Sequence, residues 1–270
     1  MTTTPAVEES DPPEDRTAVV LTLEPSAVTE SASDPQPAPS RVLVVVAHPD
    51  DVDFGAAGTI AAWVLAGAEV SYCIVTDGSA GATDPSLDPG QLALLRQEEQ
   101  RAAARAVGVE DVHFLGYKDG SLEPTMDVRR AISRVIRQVR PARVVAQSPE
   151  RNYERIRASH PDHLAAGEAA LRAVYPDARN PYAHPDLLAE GFEPYEVAEV
   201  WLMASPQAGV AVDITETFDK KLAALSEHKS QIPEPAQLAA FVRQWAEATA
   251  ERHGLGPGRL AEAFQVIDTR

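Results

Sequence analysis

The sequence predicts an α/β fold, a Rossmann-like three-layer sandwich on a mostly parallel sheet. Three observations carry this. Residues 42–47 form an unbroken apolar run of the kind buried on both faces in the middle of a parallel sheet. Further strand-like segments follow at 69–75, 112–115 and 143–146, separated by segments with helical spacing. Strand followed by helix thus repeats, as parallel strands joined by right-handed crossovers require.

Taken in order, the first strand should end at Pro49, which cannot donate to a sheet ladder. His48, Asp50 and Asp51 are then left at the C-terminal edge, where open α/β sheets put their ligands. In a continuing strand two adjacent Asp side chains would face opposite sides; a broken backbone can aim both at one cavity. Residues 55–67 have helical spacing and end at Gly67, with Asp51 and Asp53 at the positive end of that helix. The second strand, 69–75, runs into the loop 76–81, which lacks the ending of a phosphate-binding loop and reads as the rim of a pocket. Residues 91–107 form an amphipathic helix carrying Arg96, Glu98 and Glu99.

A third strand at 112–115, a helix at 126–140 stopped before Pro141 and a fourth strand at 143–146 follow. His160-Pro161-Asp162-His163 then opens a helix over 164–174. Residues 175–196 are a proline-punctuated excursion, long enough to be read as a lid or substrate wall. Strands at 197–203 and 210–214 and helices at 216–228 and 236–251 complete the chain. No internal repeat or linker divides residues 41–270, which are read as one domain.

Residues 1–40 hold seven of the 22 prolines and eight acids against one Arg16, a composition that predicts a mostly disordered acidic tail. Within it, residues 17–23 could dock as an edge strand. The chain carries a net charge of −17, which argues against a nucleic-acid partner. No apolar stretch approaches the ~20 residues of a membrane span and no secretory signal is visible, so a cytoplasmic protein is expected. Cys73 stands alone in an apolar run and reads as an inert buried thiol.

Both His-containing motifs fall at the same sheet edge, which distinguishes them from a third, His184-Pro185-Asp186, inside the excursion. His48, Asp51 and His163 together offer two nitrogens and a carboxylate, the donor set of a catalytic zinc site with an open position. Zinc lowers the pKa of bound water and polarises a carbonyl, as amide hydrolysis requires. Asp50 is the candidate general base, and His160 the candidate for stabilising an oxyanion or protonating a leaving amine. Asp162 is placed to orient an imidazole. Two imidazoles and a carboxylate suit iron as well.

The strand ending in Ala47-His48-Pro49-Asp50-Asp51, paired with the later His160-Pro161-Asp162-His163, resembles the LmbE-like superfamily, also called the PIG-L deacetylases. The resemblance runs from about Arg41 towards the C-terminus and omits the tail. It implies a zinc-dependent N-acetylglucosamine deacetylase domain, with His48, Asp51 and His163 on zinc, Asp50 as base and His160 as electrostatic catalyst. Arg96 resembles a family arginine that contacts sugar hydroxyls; a surface ion pair with Glu99 is the other reading, and both stay open here. Two departures touch the substrate contacts. Val52-Asp53 follows the paired aspartates where many members have Glu or Ala, and Ala158 stands where some sugar deacetylases have a tyrosine, with Tyr153 as a substitute from the preceding loop. The resemblance implies a small-molecule partner, an N-acetylated amino sugar or a thiol conjugate, and leaves a homo-oligomer open. A non-catalytic sugar-binding protein would be expected to have lost Asp50 or a metal ligand, and all are present.

Overall fold

The residues at the centre of the sheet explain its stability and its layering. The computed structural model describes Met1 and residues 38–270 apart from Thr83 and Pro85. The expected disorder of the acidic tail and the strand at 17–23 therefore lie outside the described residues. Strand β1 (Arg41–Val46) is buried from its second residue onward. Val42, Val44 and Val46 face one apolar cluster with Ile60, Ala104 and Val107, while Leu43, Val45 and Ala47 face another with Ile132, Ile136 and Ala169. Each such side chain contributes roughly 1.5–3 kcal/mol on leaving water, so a strand covered on both faces anchors both layers.

Six further strands complete one sheet: β2 (Glu69–Thr76), β3 (Asp111–Tyr117), β4 (Arg143–Gln147), β5 (Glu199–Met203), β6 (Val210–Asp213) and β7 (Ala261–Asp268). Their spatial order is β3-β2-β1-β4-β5-β7-β6. The first five run parallel, with Val44 opposite both Tyr72 and Val145. β7 is antiparallel to both of its neighbours. The helices are α1 (Asp51–Gly55), α2 (Ala57–Leu65), α3 (Pro89–Ala106), α4 (Met126–Val139), α5 (Pro161–Arg172), α6 (Pro185–Ala189), α7 (Phe218–Glu227) and α8 (Pro235–Arg252). Residues of α2 and α3 pack on one face of the sheet and those of α4 and α5 on the other, the expected three-layer arrangement. A third cluster, including Ile214, Phe218, Leu225 and Val242, joins α7 to α8. The order reverses between β1 and β4, the topological switch point at which such sheets bind ligands. No described helix is long and apolar enough to cross a membrane.

Several local expectations are corrected. The helix expected at 55–67 begins at Asp51 and breaks at Ala56, whose φ is −146°. The cause lies on β7: the buried Glu262 carboxylate accepts from Gly58 N at 3.1 Å and Thr59 N at 2.7 Å, capping a new helix at that point. β7 itself escapes the apolar-pattern reading because that glutamate interrupts its buried half. The excursion at 175–196 is stitched to α4. Asp177 takes two hydrogen bonds from Arg129, and Arg137 donates to the carbonyls of Asp177, Ala178 and Asn180. Its motif histidine, His184, faces Asp177 at 3.4 Å. Cys73 is buried, and burial pushes its thiol up to about 12, in keeping with an inert role.

Contact between α5 and β4 sets where His160 and His163 stand, and it depends on Gly167. A Cβ there would lie 2.2 Å from the Gln147 carbonyl oxygen. Gly167→Ala should therefore cost about 1–3 kcal/mol of stability by overpacking, despite alanine's better helix propensity; urea unfolding with an unchanged or raised midpoint would refute this.

Candidate metal centre

The chain leaves β1 through a backbone that only a special arrangement can hold. Asp50 has φ 91°, a left-handed conformation costly for a residue with a Cβ. Three contacts hold it there. Its N–H donates to Gln100 Oε1 at 2.7 Å, and the buried Arg96 donates through Nη2 to Pro49 O at 2.7 Å and to Asp50 Oδ2 at 3.3 Å. Through Nη1, Arg96 also donates to Gly78 O at 2.9 Å. The tight 76–81 loop is packed against this guanidinium: a Cβ on Gly81 would sit 2.4 Å from Nη1. The ion pair of Arg96 with Glu99 is absent; Glu99 instead accepts from the N–H and hydroxyl of Ser230.

With the turn fixed, Asp51 points back at the histidines. Its Oδ2 accepts from His48 N at 2.7 Å and lies 3.2 Å from His48 Nδ1, while Oδ1 lies 3.0 Å from His163 Nε2. His48 Nδ1 and His163 Nε2 are 3.2 Å apart. The remaining ring nitrogens decide the tautomers. His48 Nε2 faces Asp119 Oδ1 at 3.1 Å and Asp162 Oδ2 at 3.2 Å, so it carries the proton and donates. His163 Nδ1 donates to Ala158 O at 3.3 Å. With both rings neutral, two lone pairs therefore face one carboxylate, and such a cluster of acceptors suits a cation. The 3.2 Å between the two nitrogens matches the separation of about 3.3 Å between ligands held tetrahedrally at 2.0–2.1 Å, while Asp51 meets each ring through a different oxygen.

Two further donor groups lie within reach: His48, His160 and His163, and His48, Asp119 and Asp162. In the first, His160 Nδ1 accepts from Asp162 N at 3.2 Å as the N-cap of α5 and is thereby occupied. In the second, the carboxylates take the His48 N–H. Asp162 is held in turn by Gly120 N at 2.7 Å and Leu122 N at 3.1 Å.

The charges follow from this crowding. Burial opposes ionisation of Asp51, but His163 and His48 hold its carboxyl well below the usual range. Burial would lower the His48 pKa; hydrogen bonds to Asp119 and Asp51 overcome it and raise it to about 11. His163 is raised likewise by Asp51. Burial and the adjacent Asp51 charge push Asp50 up to about 7, with Arg96 opposing. His160 goes the other way: burial and the two neighbouring histidines lower it, so its ring is neutral at pH 7.

The structure thus brings His48, Asp50, Asp51, His160, Asp162 and His163 together and sets Arg96 beneath them. Tyr153, the substitute for the missing tyrosine, is exposed on the loop before His160. Four residues of this centre were not singled out as site residues from the sequence. Asp119 shares the His48 N–H, and its Asp-Gly loop after a strand is the signal that could have marked it. Gln100 bridges Asp50 N to Asp53 Oδ2 at 2.9 Å, and the fully buried His228 meets the same Asp53 oxygen at 2.8 Å. Single polar residues on ordinary helices and at a helix end give no comparable signal.

Residues 43–174 match the model of the PIG-L family, described as GlcNAc-PI de-N-acetylase. Diacetylchitobiose deacetylase of Thermococcus kodakarensis is 37% identical over 194 residues, covering 72% of this chain and 71% of that protein. A probable N-acetyl-alpha-D-glucosaminyl L-malate deacetylase 2 of Bacillus cereus is 33% identical, covering 71% and 83%. Among solved structures, N,N'-diacetylchitobiose deacetylase from Pyrococcus horikoshii superposes with a TM-score of 0.80 at 32% identity, covering 88% of this chain and 87% of that one. The chain belongs to the PIG-L, or LmbE-like, deacetylase family.

Proposed function

We propose that this protein is a zinc-dependent hydrolase that removes the acetyl group from an N-acetylated amino sugar or a conjugate of one, acting in the cytoplasm through residues 41–270. The observation that carries the reading is the acceptor cluster of His48 Nδ1, Asp51 and His163 Nε2, with the opposite nitrogen of each ring committed as a donor. These three residues would hold the metal, leaving the open position of a catalytic site. When bound, the ion would acidify a water and polarise the amide carbonyl; iron suits the same donors.

The protein's own groups then have separate roles. Asp50 removes the proton of the attacking water; a carboxyl poised near neutrality is suited to accept it and pass it on, and a nearby cation favours its ionised form. As water oxygen bonds to the carbonyl carbon, the neutral His160 ring, with Nδ1 accepting from Asp162 N, presents Nε2–H to the developing oxyanion. Asp50 returns the proton to the amine as the carbon–nitrogen bond breaks, leaving acetate and the free amino sugar. Arg96 fixes the carboxylate and turn of Asp50, which limits any contact of its own with sugar hydroxyls. Asp119 and Asp162 fix the tautomer of His48.

Three tests follow from these assignments. Asp50→Asn should retain stoichiometric metal while turnover falls about 10²–10⁴-fold, and His163→Ala should lose the metal; near-full acetate release by the Asn variant would remove Asp50 from its role. Asp119→Asn should weaken metal binding about 10–100-fold, and a chelator titration matching wild type would dismiss its part in orienting His48. The third test concerns the buried support. Burial alone would lower the His228 pKa, but Asp53 raises it above the ordinary histidine value of 6.5. The charged pair's stabilisation is then complete below pH 6.5 and is lost as pH rises through the raised value. The stability gap between wild type and His228→Gln should narrow as pH rises above 6.5 through the raised His228 value in urea unfolding; a constant gap would mean a neutral pair.

A further inference from the structure

A cavity of about 690 Å³ opens at the same sheet edge and contains none of the residues of the metal centre. Trp245 of α8 forms one wall, the segment from Arg151 to Arg155 another, and Phe54 and Gly55 of α1 separate it from the aspartates of the first motif. Its size is that of a small-molecule site. Asn152, Ser205 and Thr249 contribute neutral polar groups beside apolar and charged side chains.

The charges in it are unusual for so acidic a chain. Some arginines elsewhere pair with carboxylates, as in Arg129 with Asp177, Arg143 with Glu199 and Arg179 with Glu196, while others, such as Arg41, Arg105 and Arg140, form no ion pair among the described residues. Arg151, Arg155 and Arg252 all line the cavity, and among the described residues none of them forms an ion pair. Arg155 lies over the Trp245 ring at 4.6 Å. Burial and the like charge of Arg252 both push its pKa down, and no carboxylate offsets them. Of the two lining carboxylates, Glu262 is already satisfied by Lys221 Nζ at 2.6 Å and by the N–H groups of α2. Glu154 is exposed and forms no ion pair among the described residues. Arg155 and Arg252 line the same cavity without a carboxylate partner among the described residues, and guanidinium forks match phosphate. The indole beside them offers an apolar face to a ring carried by that anion.

We propose that this cavity is a second ligand site, distinct from the metal centre, that binds a phosphorylated sugar, with Arg155 and Arg252 on the phosphate and Trp245 against the sugar ring. The site communicates with the catalytic loop through its own wall: Asn152 N donates to Ser159 Oγ at 2.7 Å, one residue before His160.

Trp245 supplies the readout, because Trp63 and Trp201 are buried and it alone of the three tryptophans is partly exposed. Titration of the metal-loaded protein with glucosamine 6-phosphate should change tryptophan fluorescence saturably, and inorganic phosphate should compete. Unphosphorylated glucosamine should bind at least about tenfold more weakly, and Arg155→Ala and Arg252→Gln should each weaken the phosphate ester by about tenfold. Calorimetry on Trp245→Phe should still detect binding without the optical signal. Thermal unfolding of each variant checks that it is folded; Arg252, exposed at the end of α8, is the safer substitution. Binding should also survive removal of the metal by a chelator. Loss of binding on chelation would place the ligand at the metal centre and overturn the proposal. Equal affinity for glucosamine, undiminished binding in both arginine variants, or no saturable binding at all would overturn it as well.

Discussion

The imidazole of His48 is the constraint on which the centre depends, because both of its nitrogens are committed and in opposite senses. Nε2 gives its proton to Asp119 and Asp162, and only then does Nδ1 face Asp51 and His163 as a lone pair. One ring thereby ties the end of β1 to the loop after β3 and to the first turn of α5. Asp162 extends the tie, since it also receives the N–H groups of Gly120 and Leu122. A buried carboxylate with three donors is held in place, so the orientation of the ring is imposed by the fold before any ligand arrives.

The same arrangement concentrates negative charge. Asp50, Asp51, Asp53, Asp119 and Asp162 lie within one connected network, and their nearby cations are Arg96 and the histidines. Asp51 is held ionised while Asp50, next to it in sequence, is pushed up to about 7, so two adjacent carboxyls are given different chemical roles by environment alone. The raised values of His48 and His163 show how strongly the site favours positive charge. A divalent ion would displace those protons and meet the same demand, which couples occupancy of the centre to pH.

What could be read from the sequence was what is local. The run before His48 and the break at Pro49 placed the first motif at a sheet edge, and the strand–helix alternation placed the second motif at the same edge. Neighbouring residues decide both features. The supports were not legible, because each joins elements far apart in the chain: Gln100 with Asp50 and Asp53, His228 with Asp53, and Asp119 with His48. Arg96 shows the same limit. Its place on one face of α3 was evident, but whether that face met solvent, sugar or the Asp50 turn depended on where the 76–81 loop packs. β7 was missed for a related reason: the glutamate that breaks its apolar pattern is buried to cap α2 and pair with Lys221.

That cap explains why so short a helix as α1 can serve two cavities. Because the chain breaks at Ala56 and restarts under Glu262, the five residues before the break are free of the register of α2. Within those five, Asp51 reaches the histidines, Asp53 enters the buried network with Gln100 and His228, and Phe54 and Gly55 turn to the neighbouring cavity. Side chains on a helix share a face only at spacings of three or four, so Asp51 and Asp53 look different ways, and both directions are used. A uniform helix over 55–67, as the residue pattern alone suggested, would leave Asp51 and Asp53 on an unstructured lead-in and would give the centre no rigid floor. The Glu262 cap is therefore as much a part of the metal centre as the residues that face it, although it touches none of them.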